Sequence, residues 1–214
     1  MKKRNFWLLA LVAFVSLSAS GCGYNTLQAK QQQVRGRWAD IEAQLQRRAD
    51  LVPSLTAAAQ SVAVQEQEVF GQIAEARSRL LNATQAAPQG EGGDKSPEQK
   101  QAVIDAANSF GGTIGRLLSL QEAYPELKSN QLFLNLQYEL AGTENRIAAA
   151  RKDYNDAAVD YNTTRGSFPT VISAKIFGFN EEPLYRADES ARTAPAPPDP
   201  NVLRRPQPGA APAR

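Results

Sequence analysis

Residues 133–161 read FLNLQYELAGTENRIAAARKDYNDAAVDY, and apolar or small side chains recur along this stretch at alternating spacings of three and four. The nine positions are Phe133, Leu136, Leu140, Thr143, Ile147, Ala150, Tyr154, Ala157 and Tyr161. This spacing places all nine on one face of an α-helix, whereas a strand would require a period of two. The stretch therefore predicts a long helix that packs against other helices along a narrow apolar seam.

Three earlier segments repeat the same spacing. Their seams are Leu27, Val34, Trp38, Ile41, Leu45 and Val52; then Leu55, Ala59, Val62, Val69, Ile73, Ala76 and Leu80; then Val103, Ala107, Phe110, Ile114, Leu117 and Tyr124. We predict helices at about 24–52, 54–84, 97–124 and 129–165. Helices of this length joined in sequence predict an all-α fold, an elongated antiparallel up-and-down four-helix bundle.

Proline and capping residues mark the predicted boundaries. Pro53 should end or kink the first helix and open the second, because proline lacks the backbone N–H and disfavours helical geometry in the residue before it. The run Ser96-Pro97-Glu98-Gln99 is a capping box with proline at the first helical position. Pro125 should close the third helix, and Ser129 or Asn130 can cap the fourth.

The N-terminus has the layout of a bacterial lipoprotein signal. A basic start precedes the apolar run of residues 6–15, and the small residues Ala19, Ser20 and Gly21 lead to Cys22, the only cysteine. We predict a signal peptide over residues 1–21, cleavage between Gly21 and Cys22, and lipidation, including palmitate, at Cys22. The alternative is an uncleaved signal anchor, since residues 6–22 approach the roughly 17-residue minimum for a membrane span.

The predicted anchor also gives a location. A lipidated N-terminus would hold the protein to a membrane of the cell envelope, with the bundle outside the cytoplasm. Gly23 follows the cysteine where an inner-membrane retention signal would have aspartate, which favours the periplasmic face of the outer membrane in a Gram-negative cell.

Composition argues against several classes of function. The chain has 24 basic and 22 acidic residues, and the predicted signal contains three of the basic ones, so the mature protein has 21 against 22 and no nucleic-acid footprint. It contains no histidine, which excludes Ser-His and Cys-His nucleophilic sites and histidine-ligated metals. We therefore expect no enzymatic activity, no cofactor and no metal.

Two segments follow the predicted fourth helix. Residues 168–179 are apolar and broken by Pro169 and Gly178, and we expect them to fold over one end of the bundle; contact with lipid is the alternative. This places the bundle domain at residues 22–180. Residues 181–214 end in a proline- and alanine-rich stretch that cannot form a core, which predicts a disordered tail.

Several blocks of sequence resemble the LemA family in the order expected of it. They include Tyr24-Asn25, residues 44–55 (QLQRRADLVPSL), residues 122–130 (EAYPELKSN), residues 140–148 (LAGTENRIA), and the pairs Tyr154-Asn155 and Tyr161-Asn162. The resemblance covers residues 24–179 and implies a four-helix bundle exposed from a membrane anchor. Family members commonly keep an N-terminal membrane segment, which Cys22 would replace here. No catalytic residues can be carried over.

Polar residues of these blocks form one candidate site, together with Arg77 of the further matching run Glu75-Ala76-Arg77 and Arg151 beside the fourth seam. It comprises Arg47, Arg48, Asp50, Arg77, Glu144, Arg151 and Asn155. Arg48 falls on the first seam, and buried charges persist only when they are paired, so we expect an interhelical polar network that fixes helix register. We infer a non-enzymatic scaffold or adaptor with an envelope protein as partner. A bundle that binds a small ligand or peptide is the alternative, ahead of an enzyme using carboxylates such as Asp50 and Glu144.

Overall fold

The structure is a computed structural model that describes the backbone of residues 2–90 and 94–186, and the side chains of residues 23–90 and 94–186. The predictions of a signal peptide, of lipidation at Cys22 and of a disordered stretch over residues 187–214 fall outside the residues with described side chains. Between residue 23 and residue 186, leaving aside the gap at 91–93, no helix is both long and apolar enough to cross a membrane.

The described chain is helical and contains no strand, which confirms the all-α class for these residues. Its helices are α1 (Lys2–Gln60), α2 (Gln67–Gln85), α3 (Pro97–Ala123), α4 (Gln131–Gly166) and α5 (Thr170–Ile176), with a 3₁₀ turn at Pro125–Ser129. α1 packs along α4, and α2 packs along α3. The short α5 lies against α1 and α4.

The predicted seams form the core. Trp38 of α1 is 2% exposed and meets Tyr154 of α4 edge to face, with 5.3 Å between the ring centroids. Seven of the nine seam positions of α4 are fully buried, and the other two, Leu136 and Ala150, are partly buried against the same core. The alternating spacing of three and four thus identified the side chains that hold α4 to its neighbours.

Two predicted helix starts are confirmed. The side chain of Ser96 accepts a hydrogen bond from the backbone N–H of Gln99, and the Gln99 side chain accepts one from the backbone N–H of Ser96. Asn130 caps α4 by accepting a hydrogen bond from the N–H of Phe133 at 3.1 Å. Both caps satisfy backbone donors that have no partner within the helix.

The predicted break at Pro53 is wrong. α1 continues through Pro53 to Gln60, and the chain turns at residues 61–66 before α2 begins at Gln67. The reason lies on a neighbouring helix. Proline at position 53 leaves the carbonyl of Ala49 without its normal partner four residues on, and Nε of Arg77 donates a hydrogen bond to that oxygen at 2.7 Å. Arg77 thereby stabilises a helix that proline would otherwise interrupt.

This arrangement gives a double-mutant prediction. Arg77→Ala leaves the Ala49 carbonyl unsatisfied and should lower the free energy of unfolding by about 1–3 kcal/mol. In a Pro53→Ala background, the new N–H at position 53 bonds the same carbonyl, so Arg77→Ala should cost well under half as much. Urea denaturation of the four proteins measures the coupling. Equal costs in the two backgrounds would contradict the pairing of Arg77 with the proline.

The predicted start of the tail is also too early. Glu182 and Tyr185 are 8% and 4% exposed, and the chain from residue 179 to residue 186 lies on the bundle. We call residues 179–186 the strap. The expectation failed because the strap is held through its backbone by side chains of α4, which composition does not reveal.

Candidate functional site

Two asparagines of α4 form the same pair of hydrogen bonds with the backbone of the strap. Asn155 donates a hydrogen bond from Nδ2 to the carbonyl oxygen of Tyr185 at 3.0 Å and accepts one at Oδ1 from the Tyr185 N–H at 2.8 Å. Asn162 repeats both bonds with the backbone of Glu182, at 2.8 and 3.0 Å. Each amide side chain thus replaces the partner that a neighbouring strand would supply.

The spacing of the two asparagines matches an extended chain. Seven residues of α4 separate Asn155 from Asn162, a rise of about 10.5 Å along the helix. Three residues separate Glu182 from Tyr185, and an extended chain covers about 10 Å in three residues. The strap therefore runs antiparallel to α4. Strap residues three positions apart lie opposite helix residues seven positions apart.

Three more side chains of α4 bond carbonyl oxygens of the strap. The hydroxyl of Tyr154 donates to the Pro183 oxygen at 2.7 Å, and that of Tyr161 donates to the Asn180 oxygen at 2.8 Å. Nε of Arg165 donates to the Phe179 oxygen at 2.8 Å. We call these three residues, together with Asn155 and Asn162, the clamp. The five hydrogen-bonding side chains all bind the strap backbone, and Arg165 adds an ion pair with Glu181 at 3.8 Å, so the clamp selects mainly an extended conformation rather than particular side chains.

The strap also brings one carboxylate into a buried ion cluster. Lys100 of α3 is 1% exposed, and its Nζ lies 2.7 Å from Oε2 of Glu182 and 3.0 Å from Oδ2 of Asp94. Nε of Arg35 lies 3.5 Å from the same Asp94 oxygen. Two cations and two carboxylates balance, which is the condition under which charges persist away from water.

A second lysine, Lys95, lies beside this cluster and connects the loop after α2 with α1. Nζ of Lys95 donates to the Ala86 oxygen at 2.9 Å and lies 3.6 Å from Oε1 of Glu42. Burial raises the pKa of the Glu42 carboxyl, and the Lys95 charge partly offsets that rise. The Lys95 ammonium therefore holds this loop to α1 through its ion pair with Glu42, and the Glu42 carboxylate is itself partly desolvated.

Arg48 joins three helices. Its Nη1 lies 3.3 Å from Oε2 of Glu144 on α4, and its guanidinium carbon lies 5.7 Å from the ring centroid of Phe110 on α3. A Cβ at Gly111 would approach Nη2 of Arg48 to 3.0 Å, so glycine makes room for the guanidinium. Burial lowers the pKa of Arg48, and the Glu144 carboxylate opposes that shift.

The other residues of the predicted site lie in different places. Nη2 of Arg77 lies 3.8 Å from Oδ1 of Asp50, a partly exposed pair. The guanidinium carbon of Arg151 lies 4.4 Å from the ring centroid of Tyr185, over the strap. Arg47 is exposed and takes part in none of these contacts. The structure therefore brings four of the seven residues together around Tyr185 of the strap, whereas the Arg77–Asp50 pair and Arg47 lie apart from them; the four are Arg48, Glu144, Arg151 and Asn155.

Sequence reasoning missed Lys100, Asp94, Glu182 and the pairing of Asn162 with the strap. One signal was available for Lys100, because it lies three residues before Val103 and so continues the α3 seam. Across residues 23–90 and 94–186 no cluster of three or more histidine, cysteine, aspartate or glutamate side chains is placed to hold a metal ion. The arrangement is suited to holding backbone and balancing charge.

The buried phenols predict a loss of stability at alkaline pH. Burial, aided by the Glu182 carboxylate, raises the pKa of Tyr154 and raises the pKa of Tyr161 to about 12. In the unfolded chain these phenols ionise near pH 10, so from about pH 10 to 12 the unfolded state binds fewer protons than the folded state. The stabilisation is complete below pH 10 and should be lost as pH rises through the folded pKa.

Urea unfolding at pH 9 to 12 measures this effect. Tyr161→Phe removes one of the two titrating phenols. The free energy of unfolding should then fall less steeply with pH, by up to about 1.4 kcal/mol per pH unit. Tyr138, 74% exposed on the same helix, provides the control, and Tyr138→Phe should leave the slope unchanged. Identical slopes for wild type and Tyr161→Phe would refute the assignment.

Comparisons with known proteins agree with the resemblance in the sequence. A model of the LemA family matches residues 37–197. Magnetosome protein MamQ 1 and magnetosome protein MamQ 2 of Paramagnetospirillum magneticum are each 26% identical over 198 residues, covering 87% of this chain and 72% of theirs. Protein LemA of Metamycoplasma hominis is 28% identical over 128 residues, covering 59% of this chain and 52% of its own.

Proposed function

The chain belongs to the LemA family, and from this premise we propose that it is a non-enzymatic, lipid-anchored helical scaffold of the bacterial cell envelope. In this proposal α1 to α4 form an antiparallel up-and-down bundle, held to the membrane through Cys22 after removal of residues 1–21. The bundle lies outside the cytoplasm, on the periplasmic face of the outer membrane in a Gram-negative cell. It presents its outer faces to an envelope protein.

One observation supports the scaffold most strongly: six of the seven polar residues of the candidate site, all except Arg47, interact with groups of the chain itself. Arg48 pairs with Glu144, Arg77 bonds a backbone carbonyl of α1, and Asn155 grips the strap. Side chains engaged in this way fix helix register and strap position. They build a rigid rod, which suits a protein that works by holding partners at a set distance from the membrane.

The family members carrying the name MamQ are magnetosome proteins by that name. We carry over to this chain only a role at a membrane. A lipid anchor suits that role because two or more acyl chains hold a protein stably at a membrane surface.

Peptide binding is the second candidate, and the clamp favours it. Side chains that bond mainly the backbone of an extended segment would grip a partner's segment as readily as the strap, provided the strap could leave. A fluorescent peptide of residues 179–190, added to the full chain, tests this candidate. Saturable binding that Asn162→Ala abolishes would favour a peptide-binding bundle; absence of binding favours the scaffold.

A carboxylate-based enzyme is disfavoured. Asp50 is paired with Arg77, and Glu144 is paired with Arg48. Hydrolytic carboxylate pairs face each other across a cleft, whereas these two carboxylates each face a different arginine.

The scaffold proposal is tested by in-cell crosslinking and pull-down of the full chain beside its Cys22→Ala version. Membrane attachment and capture of an envelope protein are expected for the wild type, with release of Cys22→Ala into the soluble fraction. Fatty-acid labelling of the same pair isolates the anchor, and label that persists without Cys22 would refute lipidation there. Failure of both proteins to capture a partner would refute the adaptor role.

Glu144→Ala separates the structural role of the polar network from a binding role. The scaffold proposal expects a lower melting temperature, because the substitution leaves Arg48, 7% exposed, without its anion. Unchanged melting together with lost partner capture would make Glu144 part of a binding surface instead.

A further inference from the structure

The segment around α5 holds large apolar side chains in the solvent. Phe168 is 83% exposed, Ile172 51%, Ile176 70% and Phe177 53%. Ile172 and Ile176 are one helical turn apart and lie on one side of α5, while Phe168 and Phe177 flank its two ends. We call these four residues the α5 apolar face. Contiguous exposed apolar surface of this kind marks an interaction site.

The opposite side of α5 is fixed to the bundle. Ser173 and Ala174 are buried, and Phe179, just beyond the helix, is 8% exposed. Tyr24 at the start of the described part of α1 contacts Phe177 edge to face at 4.9 Å between ring centroids and Phe179 at 5.6 Å. Because α5 is packed on one side, its apolar face is held outward by the fold.

The α5 apolar face lies close to the N-terminal end of the described side chains. A Cβ at Gly23 would lie 3.2 Å from both Ser173 Oγ and Thr170 Cγ2, so α5 lies directly against the residue that follows Cys22. In the proposed anchored protein Cys22 carries the lipid. The α5 apolar face therefore lies at the membrane-attached end of the molecule.

The opposite end of α4 offers a contrast. Tyr138 is 74% exposed, but it lies 28 residues before Gly166, about 42 Å along the helix. Leu132, near the same end, is 59% exposed. These two side chains lie far from residue 23, whereas the four residues of the α5 apolar face lie within ten residues of sequence beside it.

We propose that the α5 apolar face inserts into the interfacial region of the lipid bilayer next to the N-terminal attachment. This inference rests on the proposed membrane anchor and adds a second, non-covalent contact. Lys175, exposed beside Ile176, meets the headgroups of anionic lipids. With one attachment at the N-terminus and another at α5, the base of the bundle cannot pivot freely on the membrane, so the rod keeps a defined tilt.

Tryptophan quenching by brominated lipid tests the insertion in the full chain. In the proposed lipoprotein Trp7 is removed with residues 1–21, so the parent protein keeps only buried Trp38, 2% exposed, as an internal reference. Ile176→Trp and Phe168→Trp each place a reporter on the α5 apolar face. Each variant is reconstituted in phosphatidylethanolamine and phosphatidylglycerol vesicles with or without dibromo acyl chains. Emission of both reporters should fall by about half in brominated vesicles, since interfacial side chains reach the headgroup and acyl boundary.

The matched control is Tyr138→Trp, whose position is as exposed as Ile176. Its emission should be the same in both kinds of vesicle. Unquenched reporters at positions 168 and 176 in vesicle-bound protein would refute the proposal, and a blue shift without quenching would instead indicate a protein partner or a second copy. Equal quenching at position 138 would also refute it. Failure to sediment with vesicles at all would refute the anchor itself.

Discussion

Replacing Lys100 by alanine is expected to lower the free energy of unfolding by about 3–5 kcal/mol, the range for breaking a buried ion pair from one side. The substitution leaves the Glu182 carboxylate without its cation and Asp94 with Arg35 alone, and the two carboxylate side chains are only 10% and 15% exposed. Repulsion between them and the loss of solvation act in the same direction. Urea denaturation followed by circular dichroism measures the change.

A surface lysine provides the matched control. Nζ of Lys128 lies 3.1 Å from Oε2 of Glu122, but the two side chains are 50% and 72% exposed. Lys128→Ala should therefore cost less than about 1 kcal/mol. Both substitutions remove one lysine; Lys100 loses two buried ion pairs and Lys128 one exposed pair, so the difference between their costs reports the effect of burying the charges.

A second variant keeps the prediction testable if Lys100→Ala does not fold. Lys100→Met combined with Glu182→Gln removes one charge of each sign and keeps the volume, so it should recover more than half of the loss. A cost below about 1 kcal/mol for Lys100→Ala would contradict the cluster, because removing one partner of a buried ion pair costs about 3–5 kcal/mol.

The helices could be predicted from the sequence because their seams repeat with a single period. Alternating spacings of three and four identified the buried side chains of α4, and the capping box at Ser96 identified the start of α3. These signals are local, since each depends only on residues a few positions apart. The end of α1 depends on a distant residue, Arg77, and for that reason Pro53 gave the wrong boundary.

The turn at residues 61–66 did leave a trace in the sequence. In the second seam, Val62 is followed by Val69 with no apolar side chain at the expected position between them, and residues 65–68 are QEQE. The signal is not specific, because the first seam also lacks a position between Leu27 and Val34, beside the polar run KQQQ at residues 30–33, and α1 continues there.

The candidate site could be predicted only in part. Arg48 was found because it interrupts an apolar seam, and Lys100 does the same on α3. The Tyr-Asn pairs at 154–155 and 161–162 were visible as a repeat of seven residues. Their partner was not visible, since the clamp bonds the backbone of the strap and a backbone has no sequence signature. The contacts between distant side chains and main-chain atoms are thus the part of this fold that the sequence does not reveal.

Removing both asparagines of the clamp, Asn155→Ala with Asn162→Ala, is expected to lower the free energy of unfolding by about 2–6 kcal/mol. Each substitution leaves one strap N–H and one strap carbonyl without partners, at about 1–3 kcal/mol per asparagine. The lower part of the range applies if the strap detaches, because water then satisfies the freed groups. Hydrogen exchange at the amides of Glu182 and Tyr185 distinguishes the two cases, since detachment exposes both.

The control for the clamp lies on the same helix. Asn145 is exposed on α4, so Asn145→Ala repeats the chemical change without touching the strap and should leave both stability and exchange within error. Each single clamp variant should speed exchange most at its own partner, Tyr185 for Asn155→Ala and Glu182 for Asn162→Ala. Slow exchange at both amides in the double variant would mean that the tyrosine hydroxyls and Arg165 hold the strap without the asparagines. The seven-residue repeat of Tyr-Asn would then be a consequence of core packing alone.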